Sequence, residues 1–212
     1  MKLFNEITKN RSLNFIDAKT KVKYNLQDVL FDLEIITKTQ KQLVFLYCNN
    51  KVHSLGMYFT LLKDNFTIAL LNEELDQNLK VELEKKYKPA IIVDQVRKEI
   101  NYYNIVEVKS NSTSFHIFNL KESQTEIHSK VKILLSTSGT TGSPKFVKLS
   151  EKNIYENAIS ISEYLPINYK DVTPLNLPFF YSYGLSNSYE RINNHEISLI
   201  NKEKKSNDLT AV

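Results

Sequence analysis

The sequence predicts an α/β protein, with mostly parallel sheets and flanking helices. Two observations carry this. Segments of helical period alternate with short apolar runs from residue 24 to 94, and those runs are continuously aliphatic or β-branched rather than alternating. Strands buried on both faces read that way, because crossover helices cover a parallel sheet from above and below.

The elements follow in order. The first ~20 residues are polar and mixed, with Phe15 and Ile16 as anchors for a strand or arm. Asn25 is an N-cap candidate for a helix carrying Leu26, Val29, Leu30, Leu33 and Ile36 at helical spacing. LVFLYC (43–48) is strand-like, 51–63 helical around Leu55, Tyr58, Phe59 and Leu62, and FTIALL (66–71) strand-like again. Residues 74–86 form a helix with a charged outer face, and PAIIVD (89–94) a third strand. Between 95 and 130 only FHIF (115–118) reads as a strand, flanked by solvent loops. VKILLS (131–136) and FVKL (146–149) are two further strands, and Ser150 caps a helix to Leu165 with Ile154, Ala158 and Ile161 on one face. PLNLPFFYSYGL (174–185) reads as a strand breaking at Pro178 into an aromatic turn, and ISLI (197–200) as a last strand.

Composition excludes several functions. Only Arg11, Arg97 and Arg191 are arginine among 28 basic residues, which argues against nucleic acid as a partner because arginine's planar fork is the usual reader of guanine edges and phosphates. Cys48 is alone, so no internal disulfide or oxidising compartment is indicated. No run reaches the ~20 apolar residues of a membrane span. The opening MKLFNEITKN carries Glu6 and no apolar h-region, so a cytoplasmic protein without a signal peptide or membrane partner is expected. His53, His116, His128 and His195 share no metal-ligand spacing, so no metal site is expected, and no G-x-S-x-G elbow exists. The lysine clusters at 19–23, 85–88 and 202–205 read as solvated faces.

The motif that asks for a function is LLSTSGTTGSPKFVKLS (134–150). The chain has four glycines, and Gly139 and Gly142 stand among Thr137, Ser138, Thr140 and Thr141. Glycine lets backbone N–H groups turn toward an anion, hydroxyls add neutral donors, and Lys145 supplies a point charge while Pro144 restricts the exit. It is no Walker A loop: Ser143 and Pro144 separate Gly142 from Lys145, and a strand pattern follows instead of a helix.

STSGTTGSPK (136–145) resembles the phosphate loop of the adenylate-forming enzymes: acyl-CoA synthetases, aryl-CoA ligases, luciferase and peptide-synthetase adenylation domains. LPFFYSYGL (177–185) resembles the family's next signature, KYNLQDV (23–29) its early segment and KPAIIVD (88–94) the strand before the loop. The resemblance covers most of 15–185 and implies activation of a small carboxylic acid by ATP with Mg, giving an acyl-adenylate and pyrophosphate. The acyl group then passes to a thiol of coenzyme A or phosphopantetheine. It implies that Thr137, Ser138, Gly139, Thr140, Thr141 and Gly142 hold the β- and γ-phosphates with Lys145 nearby. It also implies that Tyr181, where many relatives have histidine, and Gly184 lie by the acyl substrate.

Residues 186–212 lack the family's Tyr-Gly-x-Thr-Glu loop, ribose aspartate and C-terminal lysine, so no catalytic residue is assigned. The expectation is a partial N-terminal AMP-binding domain over 1–185, a divergent or truncated tail over 186–212, and no C-terminal domain. The alternative is a non-catalytic remnant, or a subunit completed by a missing-half partner chain.

Overall fold

The computed structural model describes residues 14–33, 41–109, 113–119, 126–136, 145–165, 172–189 and 196–199. Its main body is a seven-stranded sheet. Four strands at its centre are mutually parallel: β3 (Gln42–Cys48), β4 (Phe66–Asn72), β5 (Ile91–Asp94) and β8 (Val131–Ser136). The flanks are antiparallel, with β7 (Ser114–Asn119) and β6 (Asn104–Lys109) beside β5, and β9 (Phe146–Ser150) beside β8. The order is β6-β7-β5-β3-β4-β8-β9. The mostly parallel sheet with flanking helices is therefore present, with antiparallel edges.

Two crossovers build the centre. Helix α2 (Val52–Lys63) joins β3 to β4, and α3 (Gln77–Tyr87) joins β4 to β5. The two helices cover opposite faces. Leu55, Tyr58 and Phe59 of α2 pack with Val44, Leu46, Ile68 and Leu70, while Leu83 of α3 packs with Leu43, Phe45, Tyr47 and Ile92. The side-chain period of two in a strand sends alternate residues of each run to different helices.

A second, four-stranded sheet runs β10-β11-β1-β2, from β1 (Asn14–Asp17), β2 (Lys23–Asn25), β10 (Val172–Leu175) and β11 (Glu196–Leu199). It lies on the α2 side, where Phe15 stacks 5.9 Å from Phe59. Sequestered between two sheets, α2 buries ten of its twelve residues, which a helix facing one layer would not do.

Several boundaries move for physical reasons. The first helix, α1, spans only Leu26–Val29. Asn25 caps it in a capping box with Asp28, but Leu30 is extended, and the extended chain buries Phe31 and Leu33 as the Phe31 N–H donates to Thr60 Oγ1 at 3.0 Å. Ile36 lies outside the described residues. α3 starts at Gln77, later than residue 74, because the Asp76 carboxylate accepts from the N–H groups of Asn78 and Leu79. Ser150 caps α4 (Glu151–Tyr164) with Asn153 as its reciprocal partner. The aromatic stretch after Pro178 enters a helix, α5 (Ser182–Tyr189), where a turn was expected.

Candidate nucleotide site

In open α/β sheets ligands bind beyond the carboxyl ends of the strands, where successive connections leave toward opposite faces. Here that point lies between β3 and β4, because the chain leaves β3 toward α2 and β4 toward α3. The two strand ends are tied across it. The Asn49 Nδ2 donates to Glu73 Oε1 at 2.7 Å, and Ser54 Oγ donates to Asn49 Oδ1 at 2.9 Å. The Glu73 N–H also donates to the Cys48 carbonyl at 3.1 Å. These bonds fix the backbone at the mouth of the sheet.

The glycine-hydroxyl motif is anchored at the same edge. β8 lies beside β4 with Leu70 opposite Leu135, so Ser136 ends level with Leu71, one residue short of Asn72. Ser136 pairs with Phe146 of β9, and Phe146 is held from behind by Tyr87 and Phe45 at ring distances of 5.0 and 6.1 Å. Both ends of the motif are thus pinned. Thr137, Ser138, Gly139, Thr140, Thr141 and Gly142 lie outside the described residues, and Lys145 stands on the surface immediately before β9.

The third piece arrives from the second sheet. Asn50 Nδ2 donates to the Leu175 carbonyl at 2.6 Å, drawing the end of β10 to the carboxyl end of β3. The aromatic stretch that follows divides by role. Phe179 and Phe180 are buried, Phe179 stacking 5.6 Å from Tyr58 of α2, whereas Tyr181 is 47% and Tyr183 62% exposed. Tyr181 therefore presents its ring outward, 4.7 Å from that of Phe180, at the entrance to α5. Gly184 is buried, and a Cβ there would overlap the Pro178 carbonyl oxygen. Its place in this fold is a close approach between α5 and the Leu177–Pro178 backbone.

Asn49, Asn50, Ser54 and Glu73 were not anticipated from sequence. For Asn49, Asn50 and Glu73 the signal was available, since polar residues after an apolar run mark the carboxyl edge of a parallel sheet, whereas Ser54 sits inside α2. Also unforeseen was a buried ionic network under α3. The Arg97 guanidinium donates to Asp94 Oδ2 at 2.7 Å and to both Glu84 oxygens at 2.8 and 3.2 Å. Tyr47 Oη donates to Glu84 at 2.8 Å, and Lys80 Nζ lies 3.6 Å from Asp94. Burial alone would raise the Asp94 carboxyl, but the Val96 N–H and the Arg97 side chain outweigh it and hold Asp94 below its ordinary value. Burial, reinforced by Glu84, pushes the Tyr47 hydroxyl upward.

Among the described residues no group of three or more His, Cys, Asp and Glu side chains could hold a metal. Nor is any helix among them long and apolar enough to cross a membrane.

The comparison that decides the family is a match over residues 36–189 to the model of the AMP-binding enzymes. The chain belongs to that family. No curated protein matches the chain. Among solved structures it is similar to E. coli MenE with bound OSB-AMS, at 14% identity and a TM-score of 0.64, covering 94% of this chain and 45% of that one. It is also similar to apo MatB from Rhodopseudomonas palustris, at 15% identity and a TM-score of 0.65, covering 92% and 44%. The N-terminal domain of FACL13 from Mycobacterium tuberculosis matches at 16% identity and 0.61, covering 92% and 55%. The AMP-binding fold is shared, and the chain spans about half the length of these structures.

Proposed function

We propose that this chain is the ATP-handling front of an adenylate-forming acid–thiol ligase. One observation carries the reading: a Ser-Thr-Ser-Gly-Thr-Thr-Gly-Ser-Pro-Lys motif hung between β8 and β9 at the carboxyl edge of a parallel sheet. The family match supports it, as do the neighbours, which include an ATP-bound MatB and a MenE in complex with the acyl-adenylate intermediate OSB-AMP.

In this reading ATP is a substrate. The N–H groups and hydroxyls of Thr137 through Gly142 cradle its β- and γ-phosphates, and Lys145 adds a cation that offsets the charge gathering on pyrophosphate as it leaves. The donor set fits a polyphosphate, being neutral hydroxyls and amides with one ammonium and no carboxylate between Ser136 and Lys145. Magnesium would supply charge neutralisation on the phosphates. Tyr181 faces the small carboxylic acid, and Gly184 sets the backbone on which Tyr181 stands. The acceptor is the thiol of coenzyme A or phosphopantetheine, and the setting is the cytoplasm. Residues 1–185 form the partial AMP-binding domain and 186–212 a divergent tail.

A second reading takes its cue from the share of its structural neighbours that the chain spans, 45% of MenE and 44% of MatB. In it the protein is a nucleotide-binding subunit or remnant that needs a partner chain for the chemistry. ATP–pyrophosphate exchange over a panel of carboxylic acids separates the two. Exchange by the 212-residue chain that falls on Thr140→Ala and Lys145→Ala supports the ligase. Nucleotide binding without exchange supports the subunit, and neither would sink both.

A further inference from the structure

A cavity of about 740 Å³ lies on the α3 face, between that helix and the segment 95–103 that leads from β5 to β6. Its second wall is the segment that leaves β5, whereas the glycine-hydroxyl motif joins β8 to β9, beyond β3 and β4 in the strand order. The wall is apolar in its middle, where Val81 of α3 faces Ile100, Tyr102 and Tyr103. Its volume lies in the range of small-ligand pockets, and α3 gives it a length of ~16 Å.

Two features single it out. Tyr102 has φ +70°, in the left-handed region that non-glycine residues rarely enter, and its side chain is 94% exposed, so no packing compensates the strained backbone. The Tyr103 N–H donates to the Ile100 carbonyl at 3.2 Å, placing Tyr102 at the turn position that glycine or asparagine fills without strain. The Tyr102 ring thus stands at the mouth of the cavity.

The charges around it also select. Beneath the wall, Arg97 and Lys80 are balanced by Asp94 and Glu84, so that network is neutral. The rim carries Lys85 and Lys88 against the single carboxylate of Glu99, a net charge of +1. Such a rim favours one anionic group and offers little to a polyphosphate.

We propose that this cavity is a binding site for a small aromatic monoanion, its rings lying against Tyr102, Ile100 and Val81 and its charged end toward Lys85. The site is independent of the nucleotide reading above.

The test uses 8-anilinonaphthalene-1-sulfonate, which carries aromatic rings and one sulfonate, and its neutral counterpart N-phenyl-1-naphthylamine, each titrated by fluorescence into the full 212-residue chain. We expect one saturable sulfonate site that excess pyrophosphate does not displace. Lys85→Glu should weaken it about tenfold while changing the neutral probe less than twofold. Tyr102→Asn, which suits the left-handed backbone but removes the ring, should weaken both probes at least fivefold. Lys85→Glu should melt with the parent, since its side chain is exposed, and Tyr102→Asn at or slightly above it, since asparagine fits the left-handed backbone. Sulfonate binding unchanged by both substitutions, displacement by pyrophosphate, or equal loss of both probes in Lys85→Glu would overturn the proposal.

Discussion

The two faces of the seven-stranded sheet are built on different principles. On the α2 face the helix is closed in by a second sheet, and Leu55, Tyr58 and Phe59 meet Val44, Leu46, Ile68 and Leu70 in an apolar contact. On the α3 face the helix has solvent behind it, and four charged groups with a tyrosine hydroxyl sit in its contact with the sheet. The first face gains its stability from area removed from water. The second depends on every charge keeping its partner, because a buried ion left alone is far more destabilising than the pair is stabilising.

The sharpest way to break that contrast is Asp94→Ala. It removes the wholly buried carboxylate that Lys80 and Arg97 share, leaving Glu84 alone against two cations, and should lower unfolding free energy by about 3–5 kcal/mol in chemical denaturation. On the opposite face Gly56→Ala should be destabilising by about 1–3 kcal/mol, since its Cβ would overlap the Val29 carbonyl and force α1 off α2. Equal tolerance of both changes would refute the contrast.

A smaller effect appears with pH. The folded Asp94 carboxyl lies below its ordinary 3.8, so the stabilisation it supplies is complete above that pH and is lost as pH falls through the folded value. Unfolding monitored from pH 6 downward should therefore show a steeper acid loss in the parent than in Asp94→Asn. Parallel curves would remove Asp94 from the account. Smallest is Ser150→Ala, which removes one cap from α4 and should be destabilising by about 1 kcal/mol.

The same contrast explains what could be read from sequence. The central strands were legible because burial on both faces leaves an unbroken apolar run, and the caps at Asn25 and Ser150 because their chemistry is local. β6 was missed: it is an edge strand, and only Val108 of its six residues is buried, so little selects its side chains. The four-stranded sheet was not legible, because it joins Phe15 to Ile197 and pairing across that separation leaves no local pattern. The ionic network shares this limit. Arg97 stands three residues after a strand end, but nothing local says that it reaches back to Glu84. At the candidate site, the motif and its strands were readable. The polar ties from Asn49 to Glu73 and from Asn50 to Leu175 needed the topology.

The central claim is that the motif between β8 and β9 holds the phosphates of ATP, and calorimetric titration of ATP with magnesium into the 212-residue chain tests it most directly. Binding should be saturable and weaken about 10–100-fold in each of Thr140→Ala and Lys145→Ala, as expected for one lost hydrogen bond to a charged group. The melting temperature should stay unchanged. Affinity that is the same in all three proteins would contradict it.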